Sequence, residues 1–266
     1  MTGLLSVRLA DPCDWPAAEA MLRAGFGDED WFLRAFFDFV WQRCDTLLSL
    51  QDGVPAAMTA LLPCQVYQPG QASLPALYLY ALTTLPAHRG QGHARRLLQA
   101  AQERCERVFL HAEDAPLHAL YLRLGWQDAM PAQRLSLPAM PGSAPPAVNG
   151  PAYFAAREAL LRDIPHIVWD ENLCAFACRM LACEGGGLYA DTRAACAVTG
   201  VQDDCLTLCE ALGDASAAQA LATQLGCGRL SALVPSAQGG TALAQAIGDP
   251  LPIPLHLGFD FDEGSQ

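Results

Sequence analysis

The tightest constraint on this chain is a strand, a glycine loop and a helix run together over residues 82–105, L-T-T-L-P-A-H-R-G-Q-G-H-A-R-R-L-L-Q-A-A-Q-E-R-C. Tyr78, Leu79, Tyr80, Ala81 and Leu82 form an apolar run of the kind that makes a buried strand. Pro86 ends it, because proline has no N–H to give to a ladder. After Arg89-Gly90-Gln91-Gly92-His93-Ala94 the period changes. Ala94, Leu97, Leu98, Ala101 and Cys105 recur at i, i+3, i+4, i+7 and i+11, one apolar face of a helix, while Arg95, Arg96, Gln99, Gln102 and Glu103 fall elsewhere on the wheel. The first N–H groups of a helix have no partner inside it and the dipole is positive there, so small residues in the loop let an anion approach. No Gly-Lys-Ser/Thr follows, which excludes a P-loop. Gly90-x-Gly92-x-x ends in Arg95 rather than Gly or Ala, a poor dinucleotide fingerprint.

Up to this helix the pattern reads β-α-α-β-β-β-α. Residues 4–9 alternate as a strand, through Leu5, Val7 and Leu9. Asp14 is a fair N-cap, with Pro16 at a permitted first-turn position, for a helix over 17–24. Gly27-Asp28-Glu29-Asp30 opens a second helix over 31–43. Residues 46–50 and 54–67 pair across Asp52-Gly53, a type I′ signal because both turn residues need positive φ. Residues 77–82 lead into the glycine loop. Beyond the glycine helix come a strand over 107–112, a short helix over 117–124 opened by Pro116 and stopped by Gly125, and a strand over 134–137.

Arg89, Gly92 and Ala94 make Arg-x-x-Gly-x-Ala. This resembles the pyrophosphate loop of the GNAT acyltransferases (Gcn5-related N-acetyltransferases), Arg/Gln-x-x-Gly-x-Gly/Ala. A second stretch, D-A-P-L-H-A-L-Y-L-R-L-G-W over 114–126, resembles the family's N-x-x-A-x-x-L-Y-x-x-x-G-F segment. Leu120, Tyr121, Gly125 and Trp126 fit; Ala119 misses the usual alanine position by one, and Asp114 stands where the family usually has asparagine. The resemblance covers residues 1–139. It implies a mixed α/β (α+β) GNAT fold, with a central mixed, mostly antiparallel sheet flanked by helices.

The resemblance also implies acetyl-CoA as co-substrate; no metal is expected. The backbone of Arg89, Gly90, Gln91, Gly92, His93 and Ala94 would hold the pyrophosphate, with the Arg89 side chain adding positive charge. The backbone of Leu82, Thr83 and Thr84 would align the pantetheine arm like an added strand and give an N–H to the oxyanion. Tyr121 is the implied general acid for the leaving thiolate. A phenol with a pKa of about 10 stays protonated at neutral pH, and such a donor contributes roughly 10²–10⁴-fold in rate. Asp114 would bring negative charge to the CoA arm. The base for the amine stays open, because residues 72–84 carry no carboxylate; Glu113, Asp114, His111 or a water chain are the choices. His88 and His93 are expected in loop or surface roles. Asp28, Glu29 and Asp30 have two readings: partners of the second helix's dipole, or part of the acceptor site, since in the family the segment between the first two helices often lines it.

Residues 140–151, rich in proline, glycine and small residues without periodicity, read as a linker. Beyond it, helices are expected over 153–163, 172–183 and 215–225, and strands over 166–169, 188–190, 194–199, 205–212 and 230–234. From residue 188 this gives β-β-β-α-β, the core order of the first half again. The matching loop, Leu212-Gly213-Asp214-Ala215-Ser216, has no arginine and offers a carboxylate where a phosphate would sit. The expected domains are a GNAT acyltransferase domain over 1–139, a linker over 140–151, and a degenerate GNAT-like domain over 152–266 that covers the first domain's sheet or acceptor cleft. Gly239-Gly240 reads as a turn and 251–257 as a final strand.

Composition narrows the partners. A net charge of −12, with all sixteen basic residues arginine, argues against nucleic acid and anionic membrane and suits a cationic amine. No apolar run approaches the roughly 18 residues of a spanning helix, and residues 1–10 lack the basic start of a secretory signal. The eleven cysteines are odd in number, and neither Cys174/Cys178 nor Cys205/Cys209 has zinc-site spacing. They read as free thiols in a reducing cytoplasm. The expected activity is N-acetyl transfer from acetyl-CoA to a primary amine of a small molecule or peptide. The competing reading is a non-catalytic acyl-CoA sensor or partner-binding module.

Overall fold

The computed structural model describes residues 4–27, 29–112, 114–236 and 241–248. By contacts the chain divides into two units, Met1–Gln65, Leu74–Gln127, Gln245–Leu251 and Val66–Ser73, Asp128–Ala244, Pro252–Gln266.

In the first unit, the alternating start folds as β1 (Leu5–Leu9), which pairs antiparallel with β2 (Asp45–Gln51). β2 pairs antiparallel with β3 (Val54–Tyr67) across the expected turn, where Asp52 and Gly53 take φ of 52° and 85°. β4 (Leu74–Thr84) lies next to β3 and runs parallel to β5 (Arg107–Leu110). Between β1 and β2 come α1 (Trp15–Phe26) and α2 (Asp30–Ala35), the latter continued by a wider π-helical turn, Phe36–Trp41. One unbroken helix was expected there. The wider turn sets Phe37 and Trp41 against Trp15, with ring centroids 4.7 and 5.4 Å away. Asp14 precedes α1 but does not cap it. Its carboxylate is taken by Arg8 at 2.6 Å and by the Asp11 N–H at 2.8 Å. α3 (His93–Gln102) and α4 (Ala115–Arg123) complete the unit. Leu97, Leu98 and Ala101 of α3 pack with Leu47, Leu79, Val108, Tyr121 and Trp126 in one buried core.

The second unit starts with β6 (Gln127–Pro138), followed by α5 (Gly150–Leu161), β7 (His166–Trp169), α6 (Glu171–Cys183), β8 (Gly187–Ala190), β9 (Ala194–Gln202), β10 (Cys205–Gly213), α7 (Ala215–Gln224) and β11 (Arg229–Pro235). Its sheet runs β6-β11-β10-β9-β8, with β10 and β11 parallel and the other pairs antiparallel. The strand expected to close the first half, 134–137, therefore belongs here: β6 pairs with β11 from Pro138↔Arg229 to Ala132↔Pro235. Residues 140–151 are held rather than free. Met140 N–H donates to Gln219 O (3.2 Å), Val148 N–H to Leu188 O (2.9 Å), and Gly150 already opens α5.

A last strand, β12 (Thr241–Gly248), was not anticipated; its residues 245–248 pair antiparallel with β5. Gly239-Gly240 and residues 251–257 lie outside the described residues. The sheets are mixed and mostly antiparallel with helices flanking them, the fold class expected.

Candidate active site

The glycine loop lies where a strand pair opens. The β4/β5 ladder consists of two pairs, Leu77↔Val108 and Tyr78↔Phe109. β4 then runs on to Thr84 while β5 stops at Leu110, so the strands part. Ala81 marks the bend, with φ of 54°. A positive φ is uncommon outside glycine, and within a strand it belongs to a bulge that redirects the backbone. Leu82, Thr83 and Thr84 lie beyond this bend. Thr83 is buried and packs on the end of α1: a Cβ on Gly25 would sit 2.4 Å from Thr83 Oγ1. Only glycine lets α1 come this close to β4.

The loop follows directly. Gly90 and Gly92 take φ of 73° and 90°, and a Cβ on either would project into open space. A side chain there would be strained and would fill that space. Gly92 is the N-cap of α3 and provides no side-chain cap; the first helical acceptor is its carbonyl, taking the Arg96 N–H at 3.2 Å. The N–H groups of His93, Ala94 and Arg95 thus have no intrahelical acceptor. α4, α5, α6 and α7 are instead capped by the side chains of Asp114, Asn149, Asp170 and Asp214. Arg89 Nε donates to Thr84 O (3.2 Å), which holds the exposed guanidinium beside the end of β4. Gln91 Nε2 donates to Ala87 O (3.1 Å) and braces the loop. These residues fit an anionic pyrophosphate: open space, unpaired N–H donors, a positive helix end and one arginine.

Tyr121 is 5% exposed, in the core with Trp126 at a ring distance of 6.1 Å. It thus joins the packing and the α4 segment at once. The carboxylate of Asp114 has a structural task in this chain. As N-cap of α4 it accepts the Leu117 N–H at 2.7 Å, a role that aspartate and asparagine fill equally well.

His93 corrects a surface expectation. It is 1% exposed, and its Nδ1 shares a 2.9 Å hydrogen bond with buried Ser49 of β2. Burial lowers its pKa, with His88 and Arg96 adding to the effect. A signal was available: His93 lies four residues before Leu97, on the helix's apolar face. His88 Nδ1 donates to Gln51 Oε1 at 2.7 Å.

Of the acids between α1 and α2, Asp30 is paired with Arg23 at 3.2 Å, and Arg23 also holds Glu19 at 2.9 Å. That supports the structural reading of Asp30. Glu29 is exposed, and Asp28 lies outside the described residues, as does Glu113. His111 follows β5 directly. All eleven cysteines are free thiols. Burial pushes Cys174 and Cys196 up to about 12, so neither is a ready nucleophile at neutral pH.

In the second unit the corresponding strand, β10, shifts register between Thr207 and Glu210 and also leads into a helix. There Asp214 covers the helix end itself, accepting from Ser216 N–H and Ser216 Oγ, each at 2.9 Å. Those bonds hold its carboxyl below the usual range.

The sequence model of the acetyltransferase (GNAT) domain matches residues 6–129, so the chain contains a GNAT domain, and this domain marks it as an acyltransferase. No curated protein matches the chain. Among solved structures, the chain resembles a GCN5-related N-acetyltransferase from Kribbella flavida (16% identity, 92% of this chain and 71% of that one, TM-score 0.69). It also resembles one from Anabaena variabilis (14%, 91% and 72%, 0.70) and Eis1 from Mycobacterium abscessus (12%, 92% and 73%, 0.64). At such identities these likenesses speak to the fold, and their coverage takes in both units.

Proposed function

We propose that this chain is an N-acetyltransferase that moves an acetyl group from acetyl-CoA to a primary amine. The observation that carries this reading is the parting of β4 and β5 at Ala81, directly before an open glycine loop on an uncapped helix end. The bound thioester supplies the activated acyl group. The chain's residues then have separate tasks. Gly90, Gly92 and the first N–H groups of α3 hold the pyrophosphate, and Arg89 adds charge to the same end. The backbone of Leu82–Thr84 lines up the pantetheine arm and directs an N–H at the thioester oxygen. Tyr121 donates a proton to the leaving sulfur. Asp28 and Glu29 provide negative charge for a cationic acceptor.

In the same reading, the first unit forms the working GNAT domain, and the second unit, from β6 on, holds a degenerate repeat. The repeat rests on β8-β9-β10-α7-β11, which reproduces the order of β2-β3-β4-α3-β5 with its one parallel pair. Asp214 closes the repeat's helix end to phosphate by like charge. The acidic chain with its free thiols suits a cytoplasmic protein acting on small amines or peptides rather than on nucleic acid or membrane.

The test is calorimetric titration of the full chain with acetyl-CoA, beside Gly92→Glu. Glutamate would fill the loop and repel phosphate. Micromolar binding that the variant loses supports the proposal; absence of binding by the unaltered chain ends it.

A further inference from the structure

We propose that the buried His93 ring gives the donor's diphosphate its counter-charge: the imidazole is neutral in the free protein and takes a proton from solvent when the donor docks at the loop. The inference rests on the acetyl-CoA reading above and adds that donor binding is coupled to proton uptake at one residue. His93 is the first residue of α3, directly after Gly92, so its backbone N–H belongs to the open helix end while its ring is buried. Its Nδ1 is held 2.9 Å from Ser49 Oγ, and Ser49 is itself fully buried. Its Nε2 is buried as well and, among the described residues, has no hydrogen-bond partner. Burying a ring nitrogen without a partner is unfavourable, and a bound anion at the loop supplies the missing reason for it.

The surroundings keep the ring neutral until a ligand arrives. Burial is the largest effect, and the neighbouring His88 and Arg96 add to it. The two imidazoles meet edge to face, with centroids 5.8 Å apart. Each is tied through Nδ1 to β2, His93 to Ser49 and His88 to Gln51. The elements packed on α3 bring the ring no opposite charge. Residues 46–50 of β2 contain no charged side chain; Asp45 opens the strand and Asp52 follows it, the latter bonded to the Leu4 N–H. In β4 the ionisable side chains are Tyr78 and Tyr80 alone. Arg8 of β1 lies against Asp14, Arg107 of β5 against Glu106, and Arg123 of α4 beside Gln99 and Gln102, further along α3. The positive end of α3 opposes a further positive charge in the same way. Two phosphate charges at the loop reverse the sign of that field and favour the imidazolium. The protonated ring keeps its Nδ1–H on Ser49 Oγ and turns Nε2 into a charged donor. Residues 86–92 contain one arginine, Arg89, for a diphosphate of two charges, so a proton on His93 balances the second.

The experiment is calorimetric titration of the full chain with acetyl-CoA near pH 6.5, about the ordinary midpoint of an imidazole, in two buffers whose heats of ionisation differ. The difference in heat counts the protons bound. Wild type, His93→Gln and His88→Gln are compared, because the ligand's own 3′-phosphate, a monoester with a pKa of about 6, adds the same background to all three. Wild type should take up roughly half a proton more than His93→Gln, and as much as His88→Gln. Its affinity should rise by roughly threefold to tenfold more than that of His93→Gln between about pH 8 and pH 6. Proton NMR of the six histidine rings in wild type is the second readout and needs no variant to fold. One ring that is mostly neutral near pH 6.5 in the free chain should carry charge once acetyl-CoA is bound. Equal uptake by wild type and His93→Gln, loss of uptake in His88→Gln alone, or six rings whose titration acetyl-CoA leaves unchanged would each overturn this inference and leave the acetyl-CoA reading standing. Failure of the wild type to bind acetyl-CoA would remove that reading, and this inference with it.

Discussion

The second unit contains an ion pair with no exposure to water, and its removal should be costly in a specific way. Arg157 of α5 and Glu210 of β10 are both 0% exposed, and Arg157 Nε donates to Glu210 Oε1 at 3.0 Å. Tyr153 Oη donates to Glu210 Oε2 at 2.6 Å, and Arg157 Nη1 donates to Ile167 O at 3.2 Å and Glu158 Oε1 at 2.8 Å. Burial, then the Glu210 carboxylate, push the Tyr153 phenol well above its ordinary range, so it remains a donor. Removing one partner of such a pair leaves a charge in a dry interior, which costs roughly 3–5 kcal/mol. Arg157→Met should fall at the upper end, because Tyr153 brings the stranded carboxylate no positive charge. Glu210→Leu should fall at the lower end, because half-exposed Glu158 still offsets Arg157. The double variant should return to within about 1 kcal/mol of wild type, since desolvation and attraction are then removed together. Scanning calorimetry of the full chain is the assay, with far-UV circular dichroism in urea as a second readout. Each kcal/mol lowers the transition by about 2–4 °C for a chain of this size. If each single variant costs less than about 1 kcal/mol, or the double variant is as unstable as the sum of the singles, the pair is not the buried, mutually dependent unit described.

Tyr121→Phe keeps the ring in the core but removes the hydroxyl; release of thiol from acetyl-CoA in the presence of an accepted amine should fall by about 10²–10⁴-fold while calorimetric affinity for acetyl-CoA is retained. Unchanged turnover would take Tyr121 out of the proton path. Gly25→Ala would put a methyl 2.4 Å from Thr83 Oγ1, destabilising the first unit by roughly 1–3 kcal/mol as overpacking does. Thr83→Ala in the same chain should recover much of that in a urea titration, and no recovery would mean that the contact is not the cause. Because His93 has a folded pKa below its unfolded value of about 6.5, the unfolded chain binds the proton first as pH falls. Its contribution to stability is complete above pH 6.5 and is lost as pH drops from there through the lower folded value. Urea midpoints between pH 5 and 8 should therefore slope more steeply for wild type than for His93→Gln, and equal slopes would contradict the burial of a neutral ring.

Much of the site was legible because it is built from neighbours in the chain. The glycine loop, the helix it opens and the Asp52-Gly53 turn are matters of local backbone freedom and hydrogen-bonding capacity, and Gly90, Gly92, Asp52 and Gly53 all take the positive φ that their roles need. Asp114 was legible in position but not in role, because the same carboxylate serves as ligand contact or helix cap according to where the next turn's N–H groups fall. The bend at Ala81 left no mark, since alanine in an apolar run reads like any strand residue. Arg95 and Arg123 are polar positions on two separate helices, and only packing brings them to one cavity.

The sequence by itself determined most of the elements and the local character of two loops: a helix that opens on glycine without a side-chain cap, and one that opens on Asp214. Periodicity and capping act over a few residues, so they can be read without the fold. Tertiary structure decided the rest. β6 left the first half to pair with β11, residues 245–248 returned to pair with β5, and His93, Arg157 and Glu210 went into the interior. Strand partnership depends on which distant backbone edge is free, and burial of a charge depends on whether its counter-charge arrives from elsewhere. Both are settled by contacts between residues that the chain order keeps far apart.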